Sequence, residues 1–139
     1  MSRRSRAREV ALQILFEDDV NPRASLPDVE SFVAARLSDQ QLQKFALSLI
    51  QGVRRNQGEL DAMLEQIADN WSLGRMAATD RNVLRMGAYE LLYSDAPHRV
   101  AINEAVELAK RFGSANSAPF VNGILDKLIP GSDSGPSSG

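Results

Sequence analysis

Apolar side chains recur along this chain at intervals of three and four residues almost from end to end, the spacing that lines one face of an α-helix. No stretch shows the apolar–polar alternation bounded by turn residues that marks a strand, so the pattern predicts an all-α fold. Ala7, Val10, Ala11, Ile14 and Leu15 share one face of a helix from about Arg4 to Asp18, ended by Asn21-Pro22. Ser25, with Pro27 and Asp28 after it, caps a short second helix that buries Leu26, Val29, Phe32 and Val33 and stops near Leu37. Ser38 with Gln41 reads as a capping box opening a third helix, striped by Leu42, Phe45, Ala46, Leu49 and Val53. Asn56 with Glu59 repeats the signal for a fourth, which carries Leu60, Met63, Leu64 and Ile67.

Trp71 predicts a large apolar plug in the connection that follows. Thr79 caps a fifth helix in which Val83, Leu84, Met86, Ala88, Tyr89, Leu91, Leu92 and Tyr93 leave little polar face, making it the buried centre. A sixth helix runs from about Ile102 to Phe112, with Asn103 and Glu104 starting it, Lys110 and Arg111 in its last turn and Gly113 at its end. Its inward stripe is Ala105, Leu108, Ala109 and Phe112. Ser117, followed by Pro119, opens a seventh with Val121, Leu125 and Leu128 inward, and Pro130 forbids continuation. About seven helices with short connections predict two packed small helical bundles, divided near Gly74, in one domain over residues 1–130. Residues 131–139 read as a disordered tail, and SGPSSG at 134–139 has the composition of an expression-vector remnant.

At 139 residues and 43% hydrophobic the chain can bury a core of its own. No apolar run approaches the roughly 18 to 20 residues that span a bilayer, and no signal-peptide core follows the charged start, so a soluble cytoplasmic protein is expected. With no cysteine there is no disulfide, thiolate metal site or cysteine nucleophile. The one histidine, His98, sits between Pro97 and Arg99 without the companions that a metal site or catalytic triad needs. There is no GxxxxGK[ST] loop and no strand leading into GxGxxG. Glu17-Asp18-Asp19 lacks the spaced oxygen ligands and glycine turn of a calcium loop and reads as a solvated helix end. The expectation is therefore a binding protein and not an enzyme, with no catalytic residue, metal or cofactor.

Charge changes the picture more than composition does. The net charge of −2 conceals a basic arm, Arg3, Arg4, Arg6 and Arg8, on an acidic body. These arginines lie where the dipole of the first helix penalises cations, and Glu17, Asp18 and Asp19 lie where it penalises acids, at a few tenths to roughly 1 kcal/mol each. The pattern therefore does not serve the helix itself. Helix N-terminal amides and guanidinium forks together make a phosphate site, and arginine-rich segments favour RNA. A solvated terminus whose arginines aid solubility is the alternative at this point.

Four segments, RRSRAREVALQILF at 3–16, DRNVLRMGAYELL at 80–92, VAINEAVELAKRFG at 100–113 and FVNGILDKL at 120–128, give the chain a nearly full-length resemblance to the NusB family of bacterial transcription antitermination factors. That resemblance implies two small helical bundles and binding to the single-stranded boxA element of ribosomal RNA leader transcripts, as a heterodimer with NusE, a small-subunit ribosomal protein. It also implies assembly with other Nus factors at elongating RNA polymerase, and leaves open a homodimer in the free state. Its RNA-binding positions map to Arg3, Arg4, Arg6, Arg8, Phe120 and Asn122, and its partner-binding positions to Phe16 and Asp80. Phe120 either stacks on an unpaired base or packs in the core. Gly123 suits tight packing against a neighbouring helix, or else the close approach of another backbone or of RNA. The chain departs from the family in the charge-poor loop Ser114 to Ala118 and in Pro119, next to Phe120. A NusB-like domain also precedes the catalytic domain of a ribosomal RNA cytosine methyltransferase, but no cofactor-binding unit follows here, and a pure protein-interaction module would leave the arginines unexplained.

Overall fold

The computed structural model describes residues 3–68 and 73–129. It has six α-helices and a short 3-10 turn, and no strand among the described residues: α1 (Arg3–Val20), α2 (Leu26–Arg36), α3 (Gln40–Ile67), the 3-10 turn Leu73–Arg75, α4 (Ala78–Tyr93), α5 (His98–Phe112) and α6 (Ser117–Asp126). The expected third and fourth helices are one. Asn56 and Glu59 do not interrupt α3, because no proline intervenes and Gly58 costs a helix only about 1 kcal/mol. Two compact units, Met1–Arg55 and Asn56–Gly139, divide inside α3 and not near Gly74. Trp71 and the tail from Pro130 onward lie outside the described residues.

The first unit holds α1, α2 and the first half of α3. Ala7, Val10, Ala11, Ile14 and Leu15 of α1 are buried as their spacing requires, with Val29 and Val33 of α2 and Ala46, Leu49, Ile50 and Val53 of α3. Ser25 caps α2 by accepting from the Asp28 amide at 3.3 Å. Leu26, expected inside, is instead 44% exposed, because it opens the helix before the first full turn has packed. The start of α3 also differs. Asp39, not Ser38, caps it: Asp39 Oδ1 accepts from the amides of Gln41 and Leu42 at 2.7 and 3.2 Å. A carboxylate at a helix N-terminus gains from the dipole as well as the hydrogen bonds, and so outcompetes the hydroxyl one residue earlier.

In the second unit α4, α5 and α6 pack on one another. Residues Asn82 to Ala88 of α4 are buried without a break, as expected of a central helix, but Leu92 and Tyr93 emerge at its end. Gly87 allows the close approach: a Cβ there would stand 2.7 Å from Leu125 Cδ1 and 3.3 Å from Ala105 Cβ. Thr79 does not cap α4, whose cap position is Ala77. α5 begins at His98, directly after Pro97, so Asn103 is an exposed interior residue and not a cap. Phe112, at the last position of α5, is 48% exposed and lies outside the core. Ser117 accepts from the Ser114 amide at 2.9 Å and joins the end of α5 to α6.

Candidate nucleic-acid interface

α1 starts at Arg3, so the four arginines occupy its first two turns. They are not equivalent. Arg3 is largely exposed and donates to Asp39 Oδ2. Arg6, also exposed, donates to Glu9 Oε1 at 3.1 Å one turn further along. Arg4 is exposed and places its guanidinium carbon 4.3 Å from the centre of the Phe45 ring. Arg8 places its own 5.0 Å from the same ring and is only 2% exposed. Its guanidinium is therefore not an open set of donors at the surface. A cation over an aromatic face gains about 0.5–1 kcal/mol in an exposed setting and more when desolvated.

Asp39 stands at the centre of this arrangement. One oxygen holds the first amides of α3 and the other holds Arg3. The Arg3 hydrogen bond, followed by those from the Leu42 and Gln41 amides, keeps the carboxyl below its ordinary value of 3.8. Phe45 and Asp39 are the two site residues that sequence reasoning missed. Phe45 looked like one more member of the α3 stripe, and its pairing with residues 37 and 41 positions earlier leaves no local signal.

The acidic end of α1 is also resolved by α3. Asp18 is not a solvated helix-end acid: Arg54 donates to both its oxygens, and the Asp18 side chain is 7% exposed. Close by, a recess of about 280 Å³ is walled by Ile14, Pro22 and Phe32 and edged by Glu17, Asp18 and Asp28. Those carboxylates have the wrong sign for phosphate, which leaves the opposite end of α1 as the anion-attracting end of this unit.

Phe16, in α1, is half-buried. The remaining expected site residues belong to the second unit. Asp80, in the first turn of α4, is half-buried, and its Oδ1 is a buried oxygen without a hydrogen-bond partner. Phe120 is half-buried in the first turn of α6, and Asn122 is exposed. Gly123 does not pack against a helix: nothing lies within 4 Å of where its Cβ would be. The glycine that meets neighbouring helices is Gly87, against Leu125 and Ala105. Asn122 and Gly123 thus leave a low, uncovered stretch of α6 beside Phe120.

No group of three or more His, Cys, Asp or Glu side chains is placed to hold a metal ion among the described residues. No helix among them is long and apolar enough to cross a membrane.

Residues 5–130 match the NusB family. The chain is 45% identical over 129 residues to the transcription antitermination protein NusB of Desulfatibacillum aliphaticivorans, covering 92% of this chain and 90% of that one. It is 44% identical over 133 residues to the protein of the same name from Myxococcus xanthus, covering 92% and 95%. Among solved structures, T. maritima NusB superposes with a TM-score of 0.81 at 36% identity, covering 91% of this chain and 90% of that one. A structure of the antitermination factors NusB and NusE in complex with dsRNA matches with a TM-score of 0.80 at 26% identity, over 92% of this chain and 97% of the matched one. The chain belongs to the NusB family.

Proposed function

We propose that this chain is a cytoplasmic transcription antitermination factor that binds boxA-type RNA of ribosomal RNA leader transcripts as a heterodimer with NusE. With other Nus factors it joins the elongating RNA polymerase complex, and it carries out no chemical step itself. The observation that carries this reading is the arginine cluster at the start of α1, backed by Phe45 and Asp39, in a chain whose relatives bear the name of antitermination factors. Arg3, Arg4 and Arg6 supply guanidinium donors to phosphates, and Arg8 adds a positive field from below. Phe120 and Asn122, beside the uncovered backbone at Gly123, supply the stacking and hydrogen-bonding partners for unpaired bases. Phe16 and Asp80, both half-buried, are assigned to NusE binding.

Fluorescence anisotropy of a labelled boxA-type RNA against a scrambled RNA of equal length, with and without NusE, tests this function. The expected result is preference for boxA that NusE strengthens. Equal, weak binding to both RNAs with no effect of NusE would reject it in favour of a nonspecific basic arm.

A further inference from the structure

Arg4 and Arg8 stand one turn apart on α1, the spacing at which like charges repel, and at the helix end whose dipole is already positive. Both nevertheless converge on one ring, at 4.3 and 5.0 Å from the centre of Phe45. That ring projects, half-buried, from the second turn of α3, on a helix start fixed by the Asp39 cap. Its face is the negative end of a quadrupole and offsets the repulsion between the two guanidinium groups. Arginine is among the side chains that lose most rotamer freedom when fixed, so a ring that orders two of them during folding removes that loss from the binding step.

We infer that Phe45 is a positioning residue for RNA binding. Its ring holds Arg4 and Arg8 in place before RNA arrives, with the outer donors of Arg4 free to meet phosphate, and Phe45 need not touch RNA itself. This role rests on the RNA-binding function proposed above. Leucine at this position would keep the apolar contact with the α3 stripe and lose the quadrupole, whereas tyrosine would keep both.

Phe45→Leu and Phe45→Tyr in the full chain separate the ring from the packing. Two quantities are read: the ring-current shift of the Arg4 side-chain protons by NMR without RNA, and the affinity for boxA-type RNA with NusE across a salt series. Phe45→Leu is expected to abolish the shift and weaken RNA binding roughly fivefold. The slope of log affinity against log salt should stay unchanged, because the same phosphates are neutralised once RNA is bound. Phe45→Tyr should restore both, while Arg4→Ala, which removes a contact and not its support, should reduce the slope by about 1. Wild-type affinity in Phe45→Leu despite a lost shift would overturn the assignment, as would equal weakening by leucine and tyrosine. Failure of the wild-type chain to prefer boxA RNA would overturn the function and this role with it, and the RNA-free shift would show that the geometry was not at fault.

Discussion

Arg54 grips Asp18 with two prongs: Nε donates to Oδ2 at 2.8 Å and Nη2 to Oδ1 at 2.7 Å, while Nη1 reaches the Ala24 carbonyl at 3.3 Å. The pair fastens the last turn of α1 and the loop after it to α3, and the hydrogen bonds that Asp18 accepts from the Arg54 guanidinium raise the Arg54 pKa. An acid at a helix C-terminus opposes the dipole, and a two-pronged tertiary partner outweighs that penalty. Asp18→Asn should lower stability by about 2 kcal/mol, less than for a fully buried pair because Arg54 keeps a solvent-facing edge. Adding Arg54→Met should recover part of the loss. Urea unfolding of both variants checks this, and a single variant as stable as wild type would show the pair to be incidental.

Gly87 and Gly123 should respond oppositely to alanine. At Gly87 the new methyl meets Leu125 and Ala105 in the core, so overpacking exceeds the gain in helix propensity and costs about 1 kcal/mol net. At Gly123 nothing lies within 4 Å, and alanine should stabilise by up to about 1 kcal/mol. Melting temperatures read the two signs. Weaker RNA binding by the more stable Gly123→Ala would mark that bare backbone as an RNA contact.

The Arg3–Asp39 pair predicts a pH signature. A carboxyl held below its unfolded value contributes stability that is present above about pH 4 and disappears as pH falls through the lowered pKa. Arg3→Ala should move the NMR titration midpoint of Asp39 upward toward the ordinary range, leaving only the effect of the cap amides. An unmoved midpoint would assign the whole shift to the Gln41 and Leu42 amides.

Asp39 also competes with phosphate for Arg3. Asp39→Asn keeps a capping oxygen and removes the competing charge, so boxA affinity should rise by about two- to fivefold, the scale of an exposed ion pair. Anisotropy titrations measure it. A fall in affinity would mean that Asp39 positions Arg3 and does not restrain it.

How far the sequence could be read depends on whether its signals were local. The inward stripes of α1 and α4 followed from periodicity, and the Ser25 cap from a three-residue spacing. The merging of two expected helices into α3 did not, because a capping-box spacing is also compatible with a helix interior when no proline or buried glycine enforces a break. The tight packing expected at Gly123 is found at Gly87 for a similar reason. Both are helical glycines, and only the approach of Leu125 and Ala105 shows which one is crowded. The arginine cluster was legible as charge in the wrong place, whereas Asp39 and Phe45, which hold it, are distant in sequence and became visible only through geometry. Arg8 looked like the other three arginines until its burial set it apart.

The deciding measurement is the salt dependence of boxA affinity for the wild-type chain and for Arg3→Ala/Arg4→Ala/Arg6→Ala, a combination that spares the buried Arg8 and should leave the helical circular dichroism unchanged. An arginine-built RNA site predicts loss of most of the affinity and a slope of log affinity against log salt shallower by about 2. Unaltered affinity and slope in the triple variant would contradict it and place the RNA contacts elsewhere on the molecule.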